Sequence, residues 1–205
     1  MTLQLTAARP DVSVDHLADL LWSTDPALWA FLCPEKRLFH EVLALEWPAS
    51  QALLSHRLTT VAMQEDELLG LCTGYRLRDF ETNFKKSMQL QPSVLSPAKA
   101  DHLRDGLIWM DRLFPTPREG AFHIMELALT SAAQGHGLAK ALLSDAVERA
   151  AAAGCQWLTL DVAAQNDAVG FYRHFGFVVE LEKRIPMLAE NHGIGTHLHM
   201  VRAIP

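Results

Sequence analysis

The sequence lacks any Cys-x-x-Cys, and its three cysteines, Cys33, Cys72 and Cys155, are odd in number and far apart. That argues against a disulfide framework or a zinc site and predicts reduced core thiols in a cytoplasmic protein. No apolar run approaches the ~18 residues that a membrane span needs. The first twenty residues carry acids where a signal peptide would have its apolar centre, so neither export nor a membrane partner is expected. Basic residues are the minority, 18 Lys+Arg against 24 Asp+Glu for a net charge of −6, which speaks against nucleic acid as a partner. Internal repeats, low-complexity tracts and dividing linkers are absent from the sequence. What remains is a chain of 205 residues, 49% hydrophobic and 20% charged. That is a globular composition, and at ~150 residues per domain the length predicts one domain over 1–205 with a single sizeable core.

The order of elements follows from periodicity and punctuation. Leu3 to Ala8 alternates as a strand, and Asp11 to Ser13 offer caps for a helix through Leu17, Leu20 and Leu21. Asp25-Pro26 opens a second short helix, and a third runs from about Pro34 to Trp47 before Pro48 stops it. Leu58 to Met63, the polar turn Gln64 to Glu67 and the extended run Leu68 to Leu77 form a hairpin. Residues 80–120 contain four prolines and an amphipathic segment from Pro97 to Phe114, which predicts a loop plus a helix inserted between strands. Further on, strands are expected at Phe122–Leu129, Trp157–Val162, from Phe177 to Leu181 and at His197–Val201. Helices are expected from Gly137 to Ala153, stopped by Gly154, and from Asp167 to Phe175, ended by Gly176. Asn191 to Gly195 reads as a hairpin turn.

The informative unit is strand, Gln134-Gly135-His136-Gly137-Leu138-Ala139, helix. Gly135 and Gly137 carry no Cβ, so a ligand can approach the backbone. The first N–H groups of the following helix have no intrahelical partner, and with the helix dipole they suit an anion such as a phosphate. A P-loop is excluded because no Gly-Lys-Ser/Thr follows, and a Rossmann turn would need glycine at position 140, which is Lys140. Taken alone, the turn reads equally well as a tight turn with small residues for packing.

It does not stand alone. The unit resembles the central motif of the GNAT (Gcn5-related N-acetyltransferase) superfamily, Gln/Arg-x-x-Gly-x-Gly/Ala after a strand and opening a long helix. The strand end Leu127-Ala128-Leu129 precedes it. Leu160-Asp161-Val162, Asn166, Phe171-Tyr172 and Gly176-Phe177 then follow in the family's order. The match covers about residues 121–180. The resemblance implies an α/β (α+β) fold with a central mixed, mostly antiparallel sheet flanked by helices. The stretch of about 80–120 between the third and fourth strands departs from the compact family pattern, and is expected to be a helical insertion that serves as substrate cover or homodimer contact.

The resemblance further implies an acetyl-CoA-binding core at 121–180 and splayed fourth and fifth strands. Pantetheine would bond the backbone of Leu127, Ala128 and Leu129 and the side chain of Asn166. The pyrophosphate would sit on the amides of Gln134, Gly135, His136, Gly137, Leu138, Ala139 and Lys140, with the His136 and Lys140 side chains in reach. A solvated helix position is the equal alternative for Lys140.

Acetyl transfer to an amine needs a base, a polarised carbonyl and a protonated leaving thiolate. Tyr172 stands at the family's general-acid position; a core tyrosine is the alternative. Glu126, in His123-Ile-Met-Glu-Leu-Ala-Leu, is the first candidate base, and Asp161 the second. For both, the alternative is a polar residue on a half-exposed strand face. His192, His197 and His199 could be drawn as a metal cluster, but no carboxylate or Cys accompanies them at ligand spacing and the chemistry needs no metal. The five tryptophans are read as core, with Trp22, Trp29 or Trp109 free to wall a substrate pocket. Residues 1–50 hold three basic and seven acidic residues, so −4 of the −6 lies there, and an acidic wall favours a small cationic amine as substrate. The expected activity is thus N-acetyl transfer from acetyl-CoA to a small amine. The alternatives are a protein N-terminal or lysine acetyltransferase and a non-catalytic acyl-CoA-binding module.

Overall fold

Asp25 and Pro26 illustrate how the sequence punctuates itself. The Asp25 carboxylate accepts the Leu28 N–H at 3.0 Å, and Pro26 occupies the first turn, where its missing N–H is not needed. Similar local signals set most boundaries of the structure, a computed structural model that describes residues 3–93 and 95–204. Positions 1, 2, 94 and 205 of the span expected to form one domain lie outside the described residues.

The strands are β1 (Leu3–Ala7), β2 (Thr59–Gln64), β3 (Glu67–Arg76), β4 (Ala121–Leu129), β5 (Trp157–Ala163), β6 (Val178–Lys183) and β7 (His197–Ala203). The helices are α1 (Val14–Trp22), α2 (Pro26–Leu32), α3 (Lys36–Glu46), α4 (Leu77–Leu90), α5 (Pro97–Leu113), α6 (Leu138–Ala152), α7 (Ala168–His174) and α8 (Pro186–His192). One sheet joins the strands in the order β1-β2-β3-β4-β5-β7-β6. All neighbours are antiparallel except β4 and β5, so the expected mixed, mostly antiparallel sheet flanked by helices is what forms.

Hydrophobic cores lie on both faces of the sheet. Leu17, Leu21, Phe39 and Leu43 of α1 and α3 pack with Leu71 and Leu113 on one side. Leu142, Leu143 and Ala146 of α6 pack with Cys72, Leu158 and Met200 on the other. The adjacent pair Leu71 and Cys72 points to opposite cores, as strand alternation requires. Among the described residues no helix is long and apolar enough to cross a membrane.

Two expectations are corrected. The stretch between β3 and β4 is not a loop plus a helix but two helices, and Leu77 starts the first of them rather than ending β3. The apolar residues of α4, Leu77, Phe80, Phe84 and Met88, recur at helical spacing but are diluted among charges, so they do not read as a core helix. Asn191 to Gly195 is not a hairpin turn. It is the end of α8, where Gly193 adopts φ +71° as the cap, and α8 bridges β6 to β7.

Two irregularities position the site. β4 and β5 pair only from Ala121 to Ile124 against Trp157 to Leu160, and then splay as expected. Met125–Leu129 therefore have no β5 partner among the described residues. In addition, Thr73 opposes Glu126 while Gly74 opposes Ile124, so Met125 is a bulge. The bulge breaks the alternation: Phe122 and Ile124 face the α6 core before it, and Leu127 and Leu129 face that core after it.

Candidate active site

The splay opens into a cavity of about 780 Å³ that reaches both sides of the sheet. Gln134, Asn166 and Tyr172 line it on the α6–α7 side, Thr24, Asp25 and Trp29 on the α1–α2 side, and α4 and α5 contribute a further wall. Glu126, Leu127, Ala128, Leu129 and Asp161 line it from the strands. Seven sequence-predicted residues (Glu126 to Leu129, Gln134, Asn166 and Tyr172) and the second base candidate thus share one space.

Glu126 is buried, at 9% exposure, rather than on a half-exposed face. Burial pushes its carboxyl up to about 8, the Thr24 hydroxyl pulls the other way and the neighbouring Asp25 carboxylate raises it further. Tyr172 is buried too, on α7. Burial, then the nearby Cys72 and Glu126, hold its phenol above the usual range, so it keeps its proton at neutral pH. Asn166, just ahead of α7, accepts the Ala168 N–H on its Oδ1 at 2.8 Å and lines the cavity.

The glycine turn has the features an anion cradle needs. Gly135 and Gly137 adopt φ +77° and +79°, and a Cβ at either would meet nothing within 4 Å among the described residues. Small-residue packing therefore does not account for them. The first helical bond runs from the Ala141 N–H to the Gly137 carbonyl at 3.1 Å, which leaves the N–H groups of Leu138, Ala139 and Lys140 without a partner in the helix. The side chain of Leu138 itself packs in the α6 core. His136 and Lys140 are exposed beside the turn, outside the cavity wall, and His136 Nδ1 lies 2.7 Å from the Gln134 carbonyl.

The histidines separate. His192 stacks edge-on against Phe31 at 4.6 Å. His197 Nε2 meets Asp25 Oδ2 at 3.1 Å, and His199 Nδ1 meets Asp161 Oδ1 at 2.9 Å. Each of the latter two has a carboxylate partner that linear spacing does not reveal. Among the described residues no group of three metal-ligating side chains forms. Asp161 also lies 3.8 Å from His123 Nε2, and burial above all lowers the His123 imidazole, so it is neutral at pH 7.

Sequence reasoning missed Thr24, Asp25, His123 and Tyr75 as cavity residues. Asp25 was legible only as a helix cap; its contact with His197 spans 172 positions. Of the seven acids in residues 1–50, Asp25 and Glu46 reach the cavity, while Asp11, Asp19 and Glu41 pair with Arg or Lys and Asp15 lies 3.3 Å from His40 Nδ1. The tryptophan reading holds for Trp47, which is fully buried with Nε1 on the Arg9 carbonyl, and Trp29 walls the cavity.

The sequence model described as the acetyltransferase (GNAT) family matches residues 14–177. No curated protein sequence matches the chain. Among solved structures, an N-acetyltransferase from Staphylococcus aureus Mu50 aligns with a TM-score of 0.68 at 15% identity, over 97% of this chain and 99% of that one. A Bacillus subtilis acetyltransferase in complex with CoA aligns with a TM-score of 0.57 at 16% identity, over 100% of both. A chain of the NatC complex bound to Gag peptide and CoA gives 0.57 at 14%, again over 100% of both. At these identities the likeness is one of fold.

Proposed function

The chain belongs to the GNAT acetyltransferase family, and on that premise we propose that it transfers an acetyl group from acetyl-CoA to a primary amine of a small molecule. The observation that carries the reading is the cavity through the β4–β5 split, which runs from Gln134 at the start of the glycine turn to the buried Glu126 and its half-buried neighbour Asp25. The residues present fit the cosubstrate. The open turn at Gly135 and Gly137 and the free amides of Leu138 to Lys140 suit a pyrophosphate. The unpaired β4 edge at Leu127 to Leu129 offers backbone groups to the amides of a pantetheine arm, with Asn166 opposite.

Acetyl-CoA supplies the acyl group as an activated thioester. The chain supplies the rest. The Asp25 carboxylate attracts an ammonium group into the cavity, and Glu126, once deprotonated, takes its proton on a carboxylate oxygen so that the amine can act as a nucleophile. A base with a pKa of about 8 is matched to a reaction near neutral pH. A backbone N–H near Leu129 polarises the carbonyl oxygen. The Tyr172 hydroxyl, protonated at neutral pH, gives its proton to the leaving sulfur, and the second proton that the nitrogen loses as the amide forms restores it. Asp161 is less free for the base role because His199 already bonds one of its oxygens.

The cover formed by α4 and α5 supports a small acceptor over a protein chain, which would need an open groove. The test is free-thiol release from acetyl-CoA over a panel of primary amines and one peptide with a free N-terminus. Release with a small amine supports the reading. Release only with the peptide returns the protein acceptor, and CoA binding without any release leaves a non-catalytic module.

A further inference from the structure

Helix α4 turns its polar side inward. Asn83 and Ser87 are its buried residues. Ser87 Oγ donates to Glu46 Oε2 at 2.8 Å and accepts the Leu53 N–H at 2.9 Å, while Gln91 Nε2 donates to Glu46 Oε1 at 3.0 Å. The apolar stripe Leu77, Phe80, Phe84 and Met88 belongs to neither core; all four side chains line the cavity. Tyr75, Phe80 and Phe84 form a run of near-parallel rings, with centroids 5.6 and 5.7 Å apart and interplanar angles of 30° and 23°. Across the cavity stand Leu107 and Ile108 of α5. Phe80 and Ile108 are 37% and 50% exposed, so two of the most exposed large apolar side chains line this space.

An apolar helix face directed at a cavity instead of a core has its burial completed by whatever enters the cavity. Of the five acids that line the cavity, Asp25 and Glu126 are neighbours, Glu46 is bonded to Ser87 and Gln91, Asp161 is bonded to His199, and Asp111 stands on α5. The wall's one Lys or Arg among the described residues, Arg104, is paired with Asp101. We infer that the acceptor is a primary amine joined by a short chain to an apolar, aromatic body. Its ammonium group meets Asp25 and Glu126, and its body lies along Tyr75, Phe80, Phe84 and Met88. This rests on the acetyltransferase reading for the amine end and on α4 with Tyr75 of β3 for the body. Against Phe80, Phe84 and Met88 a polar acceptor would lose its hydration without gaining hydrogen bonds in return.

The probes are 4-phenylbutylamine and 4-amino-1-butanol, which present the same amine on the same chain, with a free-N-terminus hexapeptide beside them. With acetyl-CoA, kcat/KM for the phenyl amine should exceed that for the amino alcohol by about 100-fold. Phe84→Ala should cut that preference by about tenfold, mainly through KM, with CoA affinity unchanged and Phe84→Leu restoring part of it. Equal or better use of the amino alcohol or the peptide overturns the inference. Calorimetry of 4-phenylbutylamine on the CoA-saturated protein separates the two readings. Binding that Phe84→Ala weakens, without turnover of any amine, supports the apolar acceptor site and ends the acetyl-transfer reading. Absence of binding and of turnover of the phenyl amine overturns the acceptor assignment, whether or not other amines react.

Discussion

Helices α6 and α4 have nearly the same length, 15 and 14 residues, and orient their apolar residues in opposite ways. In α6, Leu138, Leu142, Leu143, Ala146 and Ala150 are buried against the sheet, and the helix start carries the free backbone amides proposed to hold the pyrophosphate. In α4 the buried residues are Asn83 and Ser87, tied to Glu46, and the apolar side chains face the cavity. Recognition through backbone geometry serves a ligand part that does not vary, since its demands are met by glycines and free N–H groups. Recognition through side chains on an inserted helix can be altered without disturbing the core. On the proposed function, the cofactor side and the acceptor side are therefore built by different means.

The largest expected effect tests the backbone side. Gly137→Glu places a carboxylate in the open space of the turn, and like-charge repulsion should weaken CoA binding by about 10³-fold. Stability should fall by only about 1–2 kcal/mol from the left-handed φ, because the added side chain meets no packed neighbour. Gly137→Ala shares the strain without the charge and should bind CoA within a few-fold. Calorimetry showing wild-type affinity in the glutamate variant would end the assignment of this turn to the pyrophosphate.

Where the two sides meet, Tyr172→Phe removes one hydroxyl and little volume. The rate should drop by about 10²-fold while CoA affinity stays level. An unchanged kcat would return Tyr172 to a packing role.

Glu126→Gln should lower the rate by a comparable ~10²-fold and remove the acidic limb of the pH–rate profile, which in the wild type should lie near pH 8. Asp161→Asn, measured with the same high-pKa amine, should leave that limb in place; if it alone removes the limb, Asp161 is the base. Stability gives a second reading of the same carboxyl. Its folded pKa of about 8 lies above the ordinary 4.5, so the folded state binds a proton that the unfolded chain releases. The contribution is complete below pH 4.5 and is lost as pH rises through 8. Melting midpoints of the Gln variant should therefore gain on the wild type between pH 5 and 9, and parallel curves would show that the carboxyl is not held protonated.

The smallest effect belongs to the anchoring of α4. Ser87→Ala leaves the buried Glu46 with one donor fewer, which should lower stability by about 1–2 kcal/mol and raise KM for the acceptor a few-fold with CoA affinity unchanged. Equal losses on both sides would mean that α4 supports the whole fold and not the acceptor wall alone.

What could be read from the sequence was the part whose determinants are adjacent along the chain. The Gln134–Ala139 turn, the Pro26 and Pro97 helix starts and the alternating strands depend on φ preferences, missing N–H groups and side-chain period, all of which are local. The Asp25–His197 and Asp161–His199 pairs, the Glu46 tether and the inverted α4 were not legible, and neither was α8, which ends at His192 with Gly193 as its cap. Burial and partnership at these positions depend on residues up to 172 positions away.

Glu126 shows the division within one residue. Its neighbours in sequence placed it on a strand near the reactive end. The bulge at Met125 and the approach of Thr24 and Asp25 decided that it would be buried, next to another acid and titrating near 8. Identity and local conformation were fixed by the chain's own covalent neighbourhood. The desolvation and field that set the carboxyl's chemistry come from packing, which exists only once distant segments meet.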